Sequence, residues 1–157
     1  MFTLFRAILY ASGFIALLLI YVPMQVAERA GISYPEAQGV PQIAGLAIGT
    51  IGALIALWCV LTFTLVGKGT PAPFDPPREL VTTGPYRFLR NPMYAGASLA
   101  LAGASLYFQS LALLGYTAVF LTLTHLLAVL YEEPTLKRLF GAAYTNYFQQ
   151  TKRWGIF

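Results

Sequence analysis

The hydrophobic positions of this chain form three long stretches without a formally charged side chain, at 7–27, 37–67 and 91–131. The third stretch has 41 residues. At about 1.5 Å per helical residue, it is long enough to cross a hydrocarbon core of about 30 Å twice. Polar and aromatic residues at 107–110 interrupt it, which is typical of a turn at a membrane interface. The pattern therefore predicts an all-α polytopic membrane protein with four transmembrane helices.

Two segments between the predicted helices contain several prolines. The segment 23–42 is predicted to be an irregular outer loop. The segment 67–83 should be extended and lie at the membrane surface, because closely spaced prolines exclude a continuous helix. Its prolines are Pro71, Pro73, Pro76 and Pro77. Asn91-Pro92 then predicts the start of the third helix, since Asn is favoured at the N-cap and Pro at the first helical position.

The last apolar stretch is predicted to end near Tyr131. Beyond it, apolar side chains recur at helical spacing, at Leu136, Leu139, Phe140, Ala143, Tyr144 and Tyr147. That periodicity predicts an amphipathic C-terminal helix on the cytosolic side, lying against the bilayer or the helix bundle. No linker, repeat or low-complexity segment divides the sequence, so 1–157 is expected to form a single domain.

The composition agrees with a membrane protein. Of the 157 residues, 57% are hydrophobic and only 10% are charged, against about 25% charged residues in soluble domains. If the N-terminus lies inside, nine of the ten Lys and Arg residues fall on the inner side, and only Arg29 lies outside. This asymmetry predicts that both termini are cytoplasmic. The dispersed basic residues favour contact with membrane lipids and argue against a nucleic-acid partner.

Two acidic residues, Glu132 and Glu133, stand where the last apolar stretch ends. Two adjacent carboxylates near a helix C-terminus oppose the helix dipole and repel each other, so a neighbouring cation is expected. The sequence offers an arginine for this purpose, among Arg78, Arg87, Arg90 and Arg153. A cationic ligand is the other possibility, since ionisable groups at membranes tend to be functional.

A second cluster surrounds the predicted start of the third helix. Tyr86 and Tyr94 flank Asn91 there, and a helix N-terminus is a natural site for a carboxylate or a phosphate. The two tyrosines also fit a simple aromatic belt at the membrane interface.

One ionisable residue, His125, lies within the last apolar stretch, and both a functional and a structural role fit it. No second His and no Cys stands at ligand spacing, so no metal site is expected. The lone cysteine, Cys59, fits a buried apolar position.

The segments GKGTPAPFDPPRELVTTGPYRFLRNPMYAG (67–96), EEPTLKRLFGAAYTNYF (132–148) and KRW (152–154) resemble the isoprenylcysteine carboxyl methyltransferase and phospholipid methyltransferase superfamily, and most closely its short bacterial members. These are integral-membrane enzymes that use S-adenosylmethionine. The resemblance implies a catalytic core at about 67–157. It also implies methyl transfer to a lipidic or small hydrophobic acceptor, with S-adenosylhomocysteine as product, at the cytoplasmic face of a bacterial inner membrane.

The resemblance also implies which residues form the site. The cofactor contacts would come from Arg78, Glu79, Leu80, Val81, Tyr86, Asn91, Pro92, Met93, Tyr94, Glu132 and Glu133. His125 and Arg153 are the candidate catalytic residues on the side of the acceptor.

The chain departs from its relatives at three positions. Many relatives have His in place of Asn91, and short relatives have Pro in place of Lys152. The eukaryotic isoprenylcysteine branch has an Arg in place of Ala128. Without that cation, an acceptor pocket lined by Leu121, Leu127, Ala128 and His125 is expected to take a neutral or amine-bearing molecule.

Two other function classes fit parts of the sequence. A sterol-type reductase using NADPH would share a related C-terminal architecture, although this chain is short for one. A small transporter or helical scaffold would need polar residues along a path through the bilayer, and only His125 qualifies.

Overall fold

The computed structural model describes Phe5, residues 9–10, 12–68 and 77–154. Over these residues the chain is helical and has no β-strand, as the sequence predicts. Arg6, at the start of the first predicted helix, lies outside the described residues. So do Pro71, Pro73 and Pro76 of the proline-rich segment.

Five α-helices and three shorter helical segments make up the described chain. In chain order, they are a first π segment (Ile15–Tyr21), α1 (Val22–Arg29), α2 (Val40–Leu65), a 3₁₀ helix (Gly84–Arg87), α3 (Pro92–Tyr107), α4 (Leu111–Leu127), a second π segment (Ala128–Glu132) and α5 (Glu133–Gln150). By length and composition, Val40–Leu65 and the long helix Leu111–Gln150, which is kinked at Gly141, are long and apolar enough to cross a membrane.

Helix α3 begins at Pro92, as predicted, and Asn91 occupies the N-cap position. The predicted turn at 107–110 is also present. The Ser110 hydroxyl accepts a hydrogen bond from Leu113 N (3.2 Å) and caps α4. Local sequence signals of this kind set both boundaries.

Two other predicted boundaries are wrong. The segment 23–42 was expected to be irregular, but its first part continues the first helix as Val22–Arg29. The last apolar stretch was expected to end its helix near Tyr131, but the helix continues to Gln150 and breaks only at Gly141 (φ 53°, ψ −121°). The loss of apolar side chains after Tyr131 therefore coincides with a π turn and not with the end of the helix.

Each π segment ends two residues before a proline, at Pro23 and Pro134. Proline has no N–H to donate, and its ring clashes with the carbonyl four residues earlier. The wider π turn accommodates this clash without ending the helix, which explains why both prolines are tolerated.

Glycines bring the backbones of α2 and α3 into direct contact. A Cβ at Gly52 would lie 2.4 Å from Ala100 N, and one at Gly103 would lie 2.4 Å from Gly49 N. No larger residue fits at these positions without moving a helix, so the glycines fix the pairing of α2 with α3.

Helices α3 and α4 run antiparallel through a stripe of small and apolar residues. Ser105 Oγ and Thr117 Oγ1 are 3.2 Å apart near the turn, and Leu101 packs with Phe120 further along. This register brings the start of α3 beside the second π segment, where the two sequence clusters meet.

Candidate functional site

Tyr94 and Glu132 connect the two clusters. Tyr94 lies in the first turn of α3, and its hydroxyl donates a short hydrogen bond to Oε1 of Glu132, the last residue of the second π segment. Tyr94 is buried and Glu132 is half-buried. Two residues that are 38 positions apart thus share one buried polar contact, as a membrane hairpin between them requires.

The amide of Asn91 is buried beside this contact. Asn91 is 9% exposed, and its side chain does not cap α3. Its Nδ2 has no hydrogen-bond partner. A buried N–H group without a partner costs about 1–3 kcal/mol, so it indicates a site for a ligand or an ordered water.

The buried side-chain atoms that lack a hydrogen-bond partner, among the described residues, all fall between residues 90 and 98. They are Nε and Nη1 of Arg90, Nδ2 of Asn91 and Oγ of Ser98. Ser98 contrasts with Ser105 and Thr117, whose hydroxyls bond the carbonyl four residues earlier. The two residues before α3 and the second turn of α3 thus carry side-chain atoms without a hydrogen-bond partner, on either side of Tyr94 in the sequence.

The second carboxylate of the acidic pair, Glu133, is neutralised by two arginines. Arg153 donates to it through Nε and Nη2, both at 2.8 Å. Arg90 Nη1 lies 3.3 Å from Glu133 Oε1, as an ion pair without hydrogen-bond geometry. The hydrogen bonds to Glu133 raise the pKa of the Arg153 guanidinium. Two of the four arginines considered from the sequence therefore face Glu133, whereas Glu132 faces Tyr94.

The C-terminal segment docks against the loop that precedes α3. Arg90 N donates to Lys152 O at 2.8 Å, and the Tyr147 hydroxyl donates to Tyr86 O at 2.7 Å. Trp154 Nε1 donates to His125 Nδ1 at 2.7 Å. The chain after α5 thus touches both the 84–91 loop and helix α4.

Tyr86 and Val81 lie in an apolar cluster with Cys59, and Met93 packs against it. Burial raises the pKa of the Tyr86 phenol well above its usual value, so this side chain stays neutral. Val81, Tyr86 and Met93 thus form an apolar wall, and Cys59 is the buried small residue that the sequence predicts.

Three of the predicted cofactor residues, Arg78, Glu79 and Leu80, are not among the residues that contact Tyr94 or Glu132 through the hydrogen bonds described above. The side chains of Arg78 and Glu79 are exposed and that of Leu80 is half-buried. The backbone N–H groups of Arg78 and Glu79 donate to Gly67 O, and the Glu79 carboxylate pairs with Lys68 Nζ at 2.5 Å. Arg78 and Glu79 therefore contact Gly67 and Lys68, just beyond the end of α2.

Two residues at the site were not singled out from the sequence. Ser98 follows Tyr94 by four positions on the same helix, and that spacing is a signal that would have found it. Trp154 stands in the 152–154 segment that resembles the superfamily, but nothing in the sequence signalled its pairing with His125, which is 29 positions away and depends on how the tail docks.

Comparisons with known proteins give one result. A family model described as phospholipid methyltransferase matches residues 40–143, more than half of the chain. The comparison with curated proteins found no match, and neither did the comparison with solved structures. The matched range contains Tyr94, Asn91, Glu132 and Glu133. It also covers the apolar helix Val40–Leu65 and most of the apolar helix Leu111–Gln150. The family match and these helices are consistent with an integral membrane protein.

Proposed function

Because the chain belongs to the phospholipid methyltransferase family, we propose that it transfers a methyl group from S-adenosylmethionine to a lipidic or small hydrophobic acceptor at a membrane interface. The observation that carries this proposal is the pair of buried polar side-chain atoms without a hydrogen-bond partner, in Asn91 and Ser98, on either side of Tyr94 in the sequence, where Tyr94 contacts Glu132. Native proteins pair nearly all such atoms with protein groups or ordered water, and a bound ligand would satisfy the atoms left here.

The residues present fit the polar groups of S-adenosylmethionine. Its carboxylate would be held by Nδ2 of Asn91 and by the free backbone N–H groups in the first turn of α3, where the helix dipole favours an anion. Its ammonium group or its ribose hydroxyls would be held by Glu132. Glu133 is already neutralised by arginines, so we assign it a structural role in holding the tail.

When bound, S-adenosylmethionine supplies a methyl group on a sulfonium, whose displacement needs alignment and exclusion of water more than a strong base. The chain provides both conditions. The hydroxyl of Tyr94 fixes the Glu132 carboxylate, Pro92 is fully buried behind Asn91, and the docked segment 151–154 shields the site from the aqueous side. We place His125 and Arg153 on the side of the acceptor.

The proposed membrane arrangement has four crossings, with α3 and the first helix added to the two long apolar helices. Helix α3 has 16 residues, about 24 Å at the usual helical rise, which suits a short crossing packed against α2. Leucines on the outer face of α2, at Leu46, Leu54, Leu57, Leu61 and Leu65, are about half exposed or more. We place the site at the inner face of a bacterial inner membrane, with both termini inside, because Lys and Arg residues concentrate there.

An apolar groove offers a place for the hydrocarbon part of the acceptor. It has a volume of about 220 Å³ and lies between Phe14 and Leu18 of the first helix and Leu123 and Leu127 of α4. Ala128, the residue after Leu127 in the sequence, is fully buried. Of the four pocket residues expected from the sequence, Leu127 lines this groove. Ala128 and His125 do not line it, and Leu121 lies on an exposed face.

Two measurements on the detergent-solubilised protein test the proposal. S-adenosylhomocysteine should raise the thermal unfolding temperature, and NADPH should not. In a methyl-transfer assay, Leu123→Trp should fill the groove and raise the KM for the acceptor without changing the affinity for S-adenosylhomocysteine. The proposal fails if NADPH stabilises the protein and S-adenosylhomocysteine does not.

A further inference from the structure

The indole of Trp154 hydrogen-bonds the imidazole of His125. The distance from Trp154 Nε1 to His125 Nδ1 is 2.7 Å, and the two ring centroids are 5.9 Å apart. Both residues are half-buried. His125 lies in the last turn of α4, and Trp154 lies four residues beyond the end of α5.

This bond determines where the imidazole carries its proton. An indole N–H can only donate, so Nδ1 of His125 must offer a lone pair. A neutral imidazole with a free lone pair on Nδ1 has its hydrogen on Nε2. While Trp154 is docked, His125 is therefore a neutral ring with an N–H at Nε2, and its Nδ1 is not available as a base.

The tail is held firmly enough to impose this arrangement. Arg153 makes two hydrogen bonds to Glu133, and the carbonyl of Lys152 accepts one from Arg90 N. His125 and Glu133 are eight positions apart on one continuous helix, about 12 Å along its axis. Two neighbouring tail residues, Arg153 and Trp154, thus bind this helix two turns apart.

Taking the methyl transfer proposed above as its premise, we propose that Trp154 is a positioning residue for His125. It fixes the imidazole hydrogen on Nε2, so that His125 offers the acceptor a hydrogen-bond donor rather than a proton acceptor. Docking of the tail and orientation of the acceptor are thereby coupled, because the segment that shields the site also sets the tautomer of His125. Loss of the indole N–H should free the ring to exchange between its two neutral tautomers.

Nitrogen-15 NMR can test this inference without any substrate, because His125 is the only histidine in the chain. Protein labelled with [15N]histidine should give one Nδ1 signal without a bonded hydrogen and one Nε2 signal with a bonded hydrogen. In Trp154→Phe the two signals should move toward each other as the tautomers exchange. Trp58→Phe is the matched control, because the only other tryptophan lies on α2 with half of its surface exposed, and it should leave both signals unchanged.

Kinetics then test the role in methyl transfer. Trp154→Phe should lower kcat about tenfold and leave the KM for S-adenosylmethionine within twofold, whereas a merely structural tryptophan would change both or neither. The inference is overturned if the wild-type spectrum shows the hydrogen on Nδ1, or if Trp154→Phe causes no spectral change. If the variant does not fold, the wild-type spectrum alone decides. An unchanged kcat overturns the coupling to catalysis. If no acceptor is methylated while the spectra behave as expected, the proposed function has failed and the tautomer assignment stands.

Discussion

The hydroxyl of Tyr94 donates a hydrogen bond to the carboxylate of Glu132, and this contact joins the start of α3 to the end of the second π segment. The π segment adds a wider turn between Ala128 and Glu132. This turn changes the side of the helix from which the Glu132 side chain projects. Insertions of this kind are frequent at functional sites. Glu132 thereby faces α3, while its neighbour Glu133 faces Arg153.

Glu132→Ala should abolish cofactor binding in a protein that remains folded. Removing one partner of a desolvated charge pair typically costs about 3 kcal/mol or more, which corresponds to at least about a 100-fold loss of affinity. Isothermal titration with S-adenosylhomocysteine measures the loss. Glu36→Ala, at an exposed acid in the 31–39 segment, is the control and should bind as the wild type does. Near-wild-type affinity of Glu132→Ala would show that this carboxylate does not hold the cofactor.

Tyr94→Phe should weaken cofactor binding by about tenfold. The ring remains, but Glu132 loses the donor that orients it, and a hydrogen bond to a charged group is worth about 1.5–3 kcal/mol. The same titration measures this change. Tyr107→Phe is the matched control, because Tyr107 lies at the opposite end of α3 and its hydroxyl accepts a hydrogen bond from Gln38. If the two variants have equal affinity, the contact of Tyr94 with Glu132 has no part in binding.

Gly103→Ala should destabilise the pair formed by α2 and α3. Its Cβ would lie 2.4 Å from Gly49 N, and forcing atoms into a close-packed interface costs about 1–3 kcal/mol. A fall in the thermal unfolding temperature of about 5 °C is expected. Gly115→Ala, where nothing lies within 4 Å of the added Cβ, should leave stability unchanged or raise it. Equal unfolding temperatures for the two variants would contradict the close approach of these helices.

Cysteine labelling should place residues 87 and 137 on the same side of the membrane and residue 34 on the other. In a background of Cys59→Ala, the single-cysteine variants Arg87→Cys, Lys137→Cys and Tyr34→Cys expose their thiols at positions that are open in the structure. An impermeant maleimide applied to spheroplasts should label only the cysteine at position 34. Labelling of residues 87 and 137 from opposite sides would exclude the hairpin formed by α3 and α4, and with it the shared site.

The sequence predicts the fold best where the signal is local. Asn91-Pro92 and Ser110 set the ends of α3 and α4 because capping depends on neighbouring residues. The continuation of the last helix beyond Tyr131 was not predicted. The first charged residues indicate where the membrane span ends, but the helix itself continues past them. The helix breaks at Gly141, whose positive φ suits glycine.

The residue types of the site were predictable from the sequence, but which side chains contact each other was not. Adjacent carboxylates required a cation, and four arginines were available in the sequence. Arg153 and Arg90 contact Glu133 because the tail docks beside Leu89. This is a tertiary contact that no periodic pattern in the sequence indicates. The unpartnered atoms of Asn91 and Ser98 are likewise visible only once the neighbouring helices are placed.

The acceptor should be neutral or carry an amine. Ala128 is fully buried and provides no cation on its turn of the helix. Arg90 and Arg153 already face Glu133, at 3.3 Å and 2.8 Å. An anionic acceptor would therefore lose its hydration without gaining a free counter-charge, at a cost of several kcal/mol.

Incubation of the purified protein with radiolabelled S-adenosylmethionine and separate pools of aminophospholipids and prenylcysteine acids tests this expectation. Methylation of the amine pool should exceed that of the acid pool by at least about tenfold. A tenfold ratio corresponds to a free-energy difference of only about 1.4 kcal/mol, which is less than the desolvation cost expected for an anionic acceptor. Glu133→Gln provides an internal check, because it removes the counter-charge from Arg153 and should shift the ratio toward the acid pool. A wild-type preference for the prenylcysteine acid would mean that Arg153 binds the acceptor's carboxylate in place of Glu133, and that the alanine at position 128 does not exclude anions.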